Sequence, residues 1–196
     1  MTEPTKTVEI PPRVASLITD EMRAAIGREG DPKTAWDEVS RTEIRRYAQA
    51  VMDPNPVYWD ETHAQSTKFG GVVAPPFLPS KMFRVPPDAA DPLREDLGNW
   101  DGAHSPRGGS SLNIPWPPGW VVLHGSDEAE IYQLARHGDL ITSKSKFIDM
   151  YEQAGRSGPL IIAVTETTYT NQHGDLLYIN RGISVAREIR KKADAS

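Results

Sequence analysis

Four apolar, β-branched runs in the second half limit the architecture of this chain more than any other feature of its sequence. Val121–Leu134, Leu140–Tyr151, Leu160–Thr170 and Leu176–Arg187 are rich in Val, Ile, Thr and Tyr and are bounded by turn-forming residues, the pattern of strands. Their spacers are Arg136-His137-Gly138-Asp139, Gln153–Pro159 and Asn171-Gln172-His173-Gly174-Asp175. A parallel crossover needs roughly a dozen residues or more. Spacers this short favour hairpins, so an antiparallel meander is expected over Trp120–Arg187.

The first third reads as helical with breaks. Ser16-Leu17-Ile18 with Met22, Ala25 and Ile26 forms a short amphipathic stretch ending at Gly27 or Gly30. Ser40-Arg41-Thr42-Glu43 is a capping box, the hydroxyl and the acid three residues on each satisfying a free backbone N–H. From it runs the apolar stripe Ile44, Tyr47, Ala48, Val51, until Asp53-Pro54-Asn55-Pro56 stops the helix. A further short helix is expected from Asp60 to Thr67. Helices followed by an antiparallel sheet define the α+β class.

Between these parts the chain is proline-rich. Ten of its 17 prolines fall between Pro75 and Trp120, with one helix expected around Phe77–Phe83. Long irregular stretches inside a domain are uncommon and usually functional or disordered. This one carries Leu112, Trp100 and Trp116, so part of it is expected to pack. The expected organisation is a disordered extension over residues 1–12 and one domain over 13–187, with a Pro/Trp-rich insertion at 84–118. A tail follows at 188–196.

Composition excludes several functions. A net charge of −5 over 196 residues opposes nucleic-acid binding, which needs a basic face to neutralise phosphates. The longest apolar run is Leu160–Val164, too short to span a membrane. MTEPTKTVEIPP lacks the apolar core of a signal peptide, so a cytoplasmic location is expected. Cys is absent, which removes disulfides and thiolate chemistry. No His/Asp/Glu spacing suggests a metal site, and Gly108-Gly109 lacks the Lys-Ser/Thr of a phosphate loop.

The most informative segment is Asp53-Pro54-Asn55-Pro56-Val57-Tyr58-Trp59-Asp60-Glu61-Thr62-His63-Ala64. It resembles the MaoC-like, or type 2, enoyl-CoA hydratase signature Asp-x-Asn-Pro-x-His-x-Asp-x-x-x-Ala, matching at Asp53, Asn55, Pro56, Asp60 and Ala64. Phe69-Gly70-Gly71-Val72-Val73-Ala74-Pro75-Pro76-Phe77 resembles that family's entry into its central helix. Gly138-Asp139-Leu140-Ile141-Thr142 and Thr168-Tyr169-Thr170-Asn171-Gln172-His173-Gly174 resemble later strands. The likeness covers about residues 13–187 and is strongest to the N-terminal MaoC dehydratase, or FAS1-like dehydratase, subgroup.

The resemblance implies a hot-dog fold, an antiparallel sheet wrapped around a central helix that begins at Pro76–Phe83. It also implies addition of water to a trans-2-enoyl thioester, or the reverse dehydration. Coenzyme A or acyl carrier protein would belong to the substrate, and no separate cofactor is implied. In the family the motif Asp and His act as general base and acid, and backbone N–H groups hold the enolate oxygen. Asp53 and the His slot are therefore the catalytic candidates, and Asn55, Pro56, Phe77 and Leu78 the substrate-binding ones.

The His slot, five residues after Asp53, holds Tyr58. A phenol ordinarily titrates at about 10 and imidazole at about 6.5, so only the latter exchanges protons readily at neutral pH. Pro75-Pro76 replaces the usual His-Gly, leaving Phe77 or Leu78 as oxyanion donors. The implied role is a subunit paired with a second MaoC-like hot-dog chain carrying the complete Asp/His pair, acting on a bulky acyl-CoA such as a steroid side chain. A homodimer is the other assembly. Alternatives are a self-sufficient hydratase using Asp53 with Tyr58, and an acyl-thioester-binding module without catalysis. Plainer roles stand beside these: Asp53 as a turn cap, Tyr58 as a packed wall residue, Asn55 as a loop holder and His63 as a surface helix residue. Arg187, Arg190, Lys191 and Lys192 read as a solvated tail rather than a phosphate site.

Overall fold

The computed structural model describes residues 16–83, 112, 114–156 and 158–188. The expected extension over 1–12, Trp100, Gly108-Gly109, most of the 84–118 insertion and the basic tail from Arg190 lie outside them.

Thr19 caps the first helix, α1 (Asp20–Ala25), by accepting the Met22 N–H. The helix therefore starts later than Ser16. Gly27, at φ +89°, turns the chain out of it. The two-residue strand β1 (Lys33–Thr34) follows. Next comes α2 (Arg41–Ala50), with the Ser40/Glu43 capping box formed in both directions. Helix α3 (Glu61–Gln65) begins at Asp60, whose carboxylate accepts the His63 N–H.

The remaining strands are β2 (Trp120–Ile131), β3 (Thr142–Gly155), β4 (Gly158–Thr170) and β5 (Leu176–Glu188). Each covers the run read from sequence to within about four residues, typical of boundaries set by periodicity. All pairings are antiparallel, in the order β1-β3-β4-β5-β2. The class is α+β and the architecture a hot-dog sheet.

The meander expectation is corrected at one place. β2 pairs with β5, not with β3, so the two strands flanking Arg136-His137-Gly138-Asp139 stand at opposite sides of the sheet. The segment between them crosses the molecule because its apolar residues pack inside: Ala135 and Ile141 are buried. Its carbonyls are taken by distant partners, Ala135 by the Ala74 N–H and Ile141 by the Ala35 N–H, both at 2.7 Å.

The segment around Phe77–Phe83 also differs from expectation. Among the described residues it contains a four-residue 3-10 turn, Leu78–Lys81, rather than α-helix. Proline lacks an N–H and fits only the opening of a helix. Pro79, three residues after Pro76, supplies no donor for a continuing ladder.

Two apolar clusters fill the inner side of the sheet. The first joins Ile44, Ala48, Val57, Tyr58, Val73, Leu78, Leu177 and Tyr178. The second joins Met22, Leu112, Phe147, Met150, Ile161 and Ala186, with Trp116 packed against it. Leu112 and Trp116 of the proline-rich region are thus packed, as expected of part of it. Burying one large apolar side chain contributes about 1.5–3 kcal/mol, so each cluster matters to stability. No helix among the described residues is long and apolar enough to cross a membrane.

Candidate functional site

The Asp53 loop is built by a helix end followed by a chain of carboxylate and amide caps. At the end of α2, Met52 takes a left-handed φ of 55°. Its N–H bonds to the Gln49 carbonyl and the Asp53 N–H to the Ala48 carbonyl. This is the Schellman arrangement, whose left-handed position is usually Gly. Asp53 Oδ1 then accepts the Asn55 N–H at 3.0 Å, and Asn55 Oδ1 accepts the Val57 N–H at 3.2 Å. Pro56 opens the 3-10 turn Pro56–Tyr58 that Asn55 caps. The loop-holding roles of Asp53 and Asn55 are therefore realised.

Tyr58 is buried, at 7% exposure, within the first cluster. Burial pushes its phenol above the usual value, and the nearby charge of Asp53 pushes the same way. The residue in the His slot is thus held protonated near neutral pH.

Asp53 also borders an apolar cleft of about 450 Å³, walled by Ala48, Met52, Pro54 and Trp59, with Arg45 and Gln49 completing it. Of the six sequence-selected residues only Asp53 lines this cleft. Asn55 and Pro56 shape the loop beside it. Phe77 is 45% exposed and meets the buried Tyr178 edge-on, with 6.0 Å between ring centres.

The two candidate oxyanion donors differ. The Leu78 N–H already donates to the Pro75 carbonyl at 3.0 Å. The Phe77 N–H has no partner among the described residues.

The sequence reading missed a group of phenols. Tyr178 lies within electrostatic reach of Tyr169 and Tyr47. The Tyr169 and Tyr178 rings stack 4.3 Å apart. Burial raises the pKa of all three tyrosines. Tyr169 stood in a quoted motif, but pairing across β4 and β5 is what brings it to Tyr178. His63 lies exposed on α3, as a surface helix residue. No three His, Cys, Asp or Glu side chains among the described residues gather as a metal would require.

Comparison with known proteins adds the following. Residues 24–179 match the family model described as the FAS1-like, dehydratase domain region. A UPF0336 protein of Thermobifida fusca (strain YX) is 27% identical over 118 residues, covering 60% of this chain and 65% of that protein. The chain thus spans slightly less than two thirds of that relative. Among solved structures, the ChsH1-ChsH2 complex from Mycobacterium tuberculosis superposes with a TM-score of 0.61 at 16% identity, covering 84% of this chain and 90% of that one. The C-terminally truncated HadBC (3R-hydroxyacyl-ACP dehydratase) complex from the same organism gives 0.53 at 17% identity, covering 86% and 99%. At such identities the structural likeness concerns the fold.

Proposed function

The chain belongs to the FAS1-like dehydratase family, and on that premise we propose that it is one subunit of a heteromeric hydro-lyase acting on enoyl or 3-hydroxyacyl thioesters. The observation that carries this reading is Tyr58. A buried phenol beside the charge of Asp53, its pKa raised, cannot relay protons near neutral pH as an imidazole does. The complete Asp/His pair is then assigned to a second hot-dog chain. There the water oxygen bonds to Cβ while its proton passes to the partner's base. The enolate accepts a proton at Cα, and dehydration runs the same steps backward.

Two further features support a partner. Among the described residues β2 forms a 12-residue outer edge, and such edges are usually covered or paired. The similar ChsH1-ChsH2 and HadBC structures are complexes. A bulky acyl-CoA, such as one with a steroid side chain, is the substrate class favoured by the length of the 84–118 stretch.

The deciding experiment replaces the slot residue. Tyr58→His in the isolated chain restores the imidazole on an otherwise matching loop. The expected result is hydratase activity absent from the unmodified chain. In the partnered enzyme, Asp53→Asn should leave kcat within a few fold, because no proton passes through it. General-base catalysis by Asp53 would instead cost about 10²–10⁴ on this change. Robust hydration by the unmodified chain alone, abolished by Asp53→Asn, would overturn the heteromeric reading.

A further inference from the structure

Among the described residues the sheet has two edges, and the chain itself covers one of them. Along β3 the Gly27 and Gly30 N–H groups donate to the carbonyls of Phe147 and Ser145, and the Phe147 N–H donates to the Arg28 carbonyl. β1 pairs with Thr142 and Ser143, and the Glu152 carboxylate accepts the Leu17 N–H at 2.8 Å. The other edge, β2, has no such cover. Among the described residues its backbone from Val121 to Ile131 bonds only to β5, and Leu123–Ile131 are all exposed. An open ladder of this length is a template for one more strand.

The side chains of β2 restrict which strand that can be. The irregularity between His124 and Ser126 divides the edge in two. Before it stand Val121, Val122 and Leu123, and after it Asp127, Glu128 and Glu130. Residues three apart on a regular strand face opposite ways. The extra residue at Gly125 instead puts His124 and Asp127 on one face, with Nε2 3.0 Å from Oδ2. Asn180 donates to the other Asp127 oxygen at 2.9 Å, and Arg181 is shared between Glu130 and Glu166. Glu128 has no ion-pair partner among the described residues. Facing side chains on paired strands come within about 4.5–5.5 Å, and like charges there oppose pairing. In a two-fold pairing of β2 with its own copy, centred between Asp127 and Glu130, carboxylates of the two strands fall opposite or diagonal to one another. Sliding the copies until the acids meet Val121–Leu123 relieves that repulsion. It also brings the two Gly125 irregularities face to face at the centre, where a bulge interrupts the ladder.

We propose that β2 docks the edge strand of a different hot-dog chain and that its charges exclude a second copy of this one. The partner strand runs antiparallel to β2, with Lys or Arg facing Asp127, Glu128 and Glu130 and apolar side chains facing Val121–Leu123. This rests on the heteromeric reading above and adds the means by which a partner is told from a copy. Discrimination between two strands of the same fold comes from a repulsive element as well as an attractive one, and the acidic half of β2 supplies both.

The test supplies a basic edge on the same scaffold. The full chain carrying Asp127→Lys and Glu128→Lys together is mixed with the wild-type chain and followed by analytical ultracentrifugation at low salt. The mixture should form a one-to-one pair at least tenfold tighter than either protein forms alone. That pair should weaken as added salt shortens the reach of charge from about 10 Å at 0.1 M to about 3 Å at 1 M. Hydrogen exchange of the β2 amides should slow in the mixture and not in the separate proteins. If circular dichroism shows that this variant does not fold, Glu128→Lys with Ala129→Lys takes its place, because it leaves the Asp127 and Glu130 contacts intact. Wild-type self-association as tight as the mixed pair overturns the selection by charge. A mixture that does not pair, or pairs without protecting β2, overturns the docking edge. Both results leave the Tyr58 reading standing, since that reading fails or holds on the activity of the Tyr58→His chain.

Discussion

At the residue scale, Met52 concentrates a local conflict. A side chain at φ 55° occupies a region that costs a non-glycine residue on the order of 1 kcal/mol, and at 86% exposure packing offsets little of it. Met52→Gly should therefore stabilise the fold by about 0.5–1 kcal/mol in urea denaturation. The same change would open one wall of the Asp53 cleft. Ser40→Ala should cost about 1 kcal/mol, since it frees the Glu43 N–H at the start of the helix that delivers this loop. The sequence revealed both Asp53 and the caps around it, because Asx and capping signals are local. It could not reveal that the Leu78 amide is spent on Pro75, nor that His124 and Asp127 share a face. The first depends on how tightly one turn winds, the second on one extra residue in a strand.

At the scale of elements, the strands were legible because β-branched residues and turn residues alternate over long runs. β1 was not, because two residues carry no period. The order of strands was not legible either. Arg136-His137-Gly138-Asp139 has the composition of a hairpin turn, and only burial of Ala135 and Ile141 against distant segments makes it a crossing. The bulge in β2 gives the sharpest element-level prediction. A Cβ at Gly125 would lie 2.9 Å from the Ile183 carbonyl oxygen and 3.0 Å from Val185 Cγ2, both on the neighbouring strand. Gly125→Ala should destabilise the domain by about 1–3 kcal/mol and separate His124 from Asp127. Equilibrium denaturation gives the first effect, and a change in the His124 imidazole resonances, as its 3.0 Å contact with Asp127 is lost, gives the second.

At the scale of the whole molecule, buried phenols set the alkaline limit of stability. Tyr58, Tyr169 and Tyr178 have their pKa values raised mainly by burial. A group whose pKa is raised on folding stabilises the folded form fully below its unfolded pKa, about 10 for Tyr. That contribution is lost as pH climbs from there towards the folded values. Stability measured by denaturation should hold to about pH 9 and fall steeply above about pH 10. Phenolate absorbance from these three residues should appear together with unfolding. Gradual titration of all three in a chain that stays folded would contradict this picture.

The crossing connection also has a consequence in time. Trp120 pairs with Glu188, and Ile131 with Tyr178, so β2 is synthesised well before the strand that completes it. At about 5–20 residues per second on the ribosome, the β2 backbone waits for seconds without its neighbour while β3 and β4 can already zip together. Its row of Asp127, Glu128 and Glu130 keeps that waiting ribbon from finding the same ribbon on an adjacent nascent chain, since edge charges oppose such pairing. A chain interrupted before Leu176 would keep its hairpin and lose its last suitor for β2. A truncated transcript of this gene would then yield a hairpin with a charged, unpaired ribbon rather than a smaller domain.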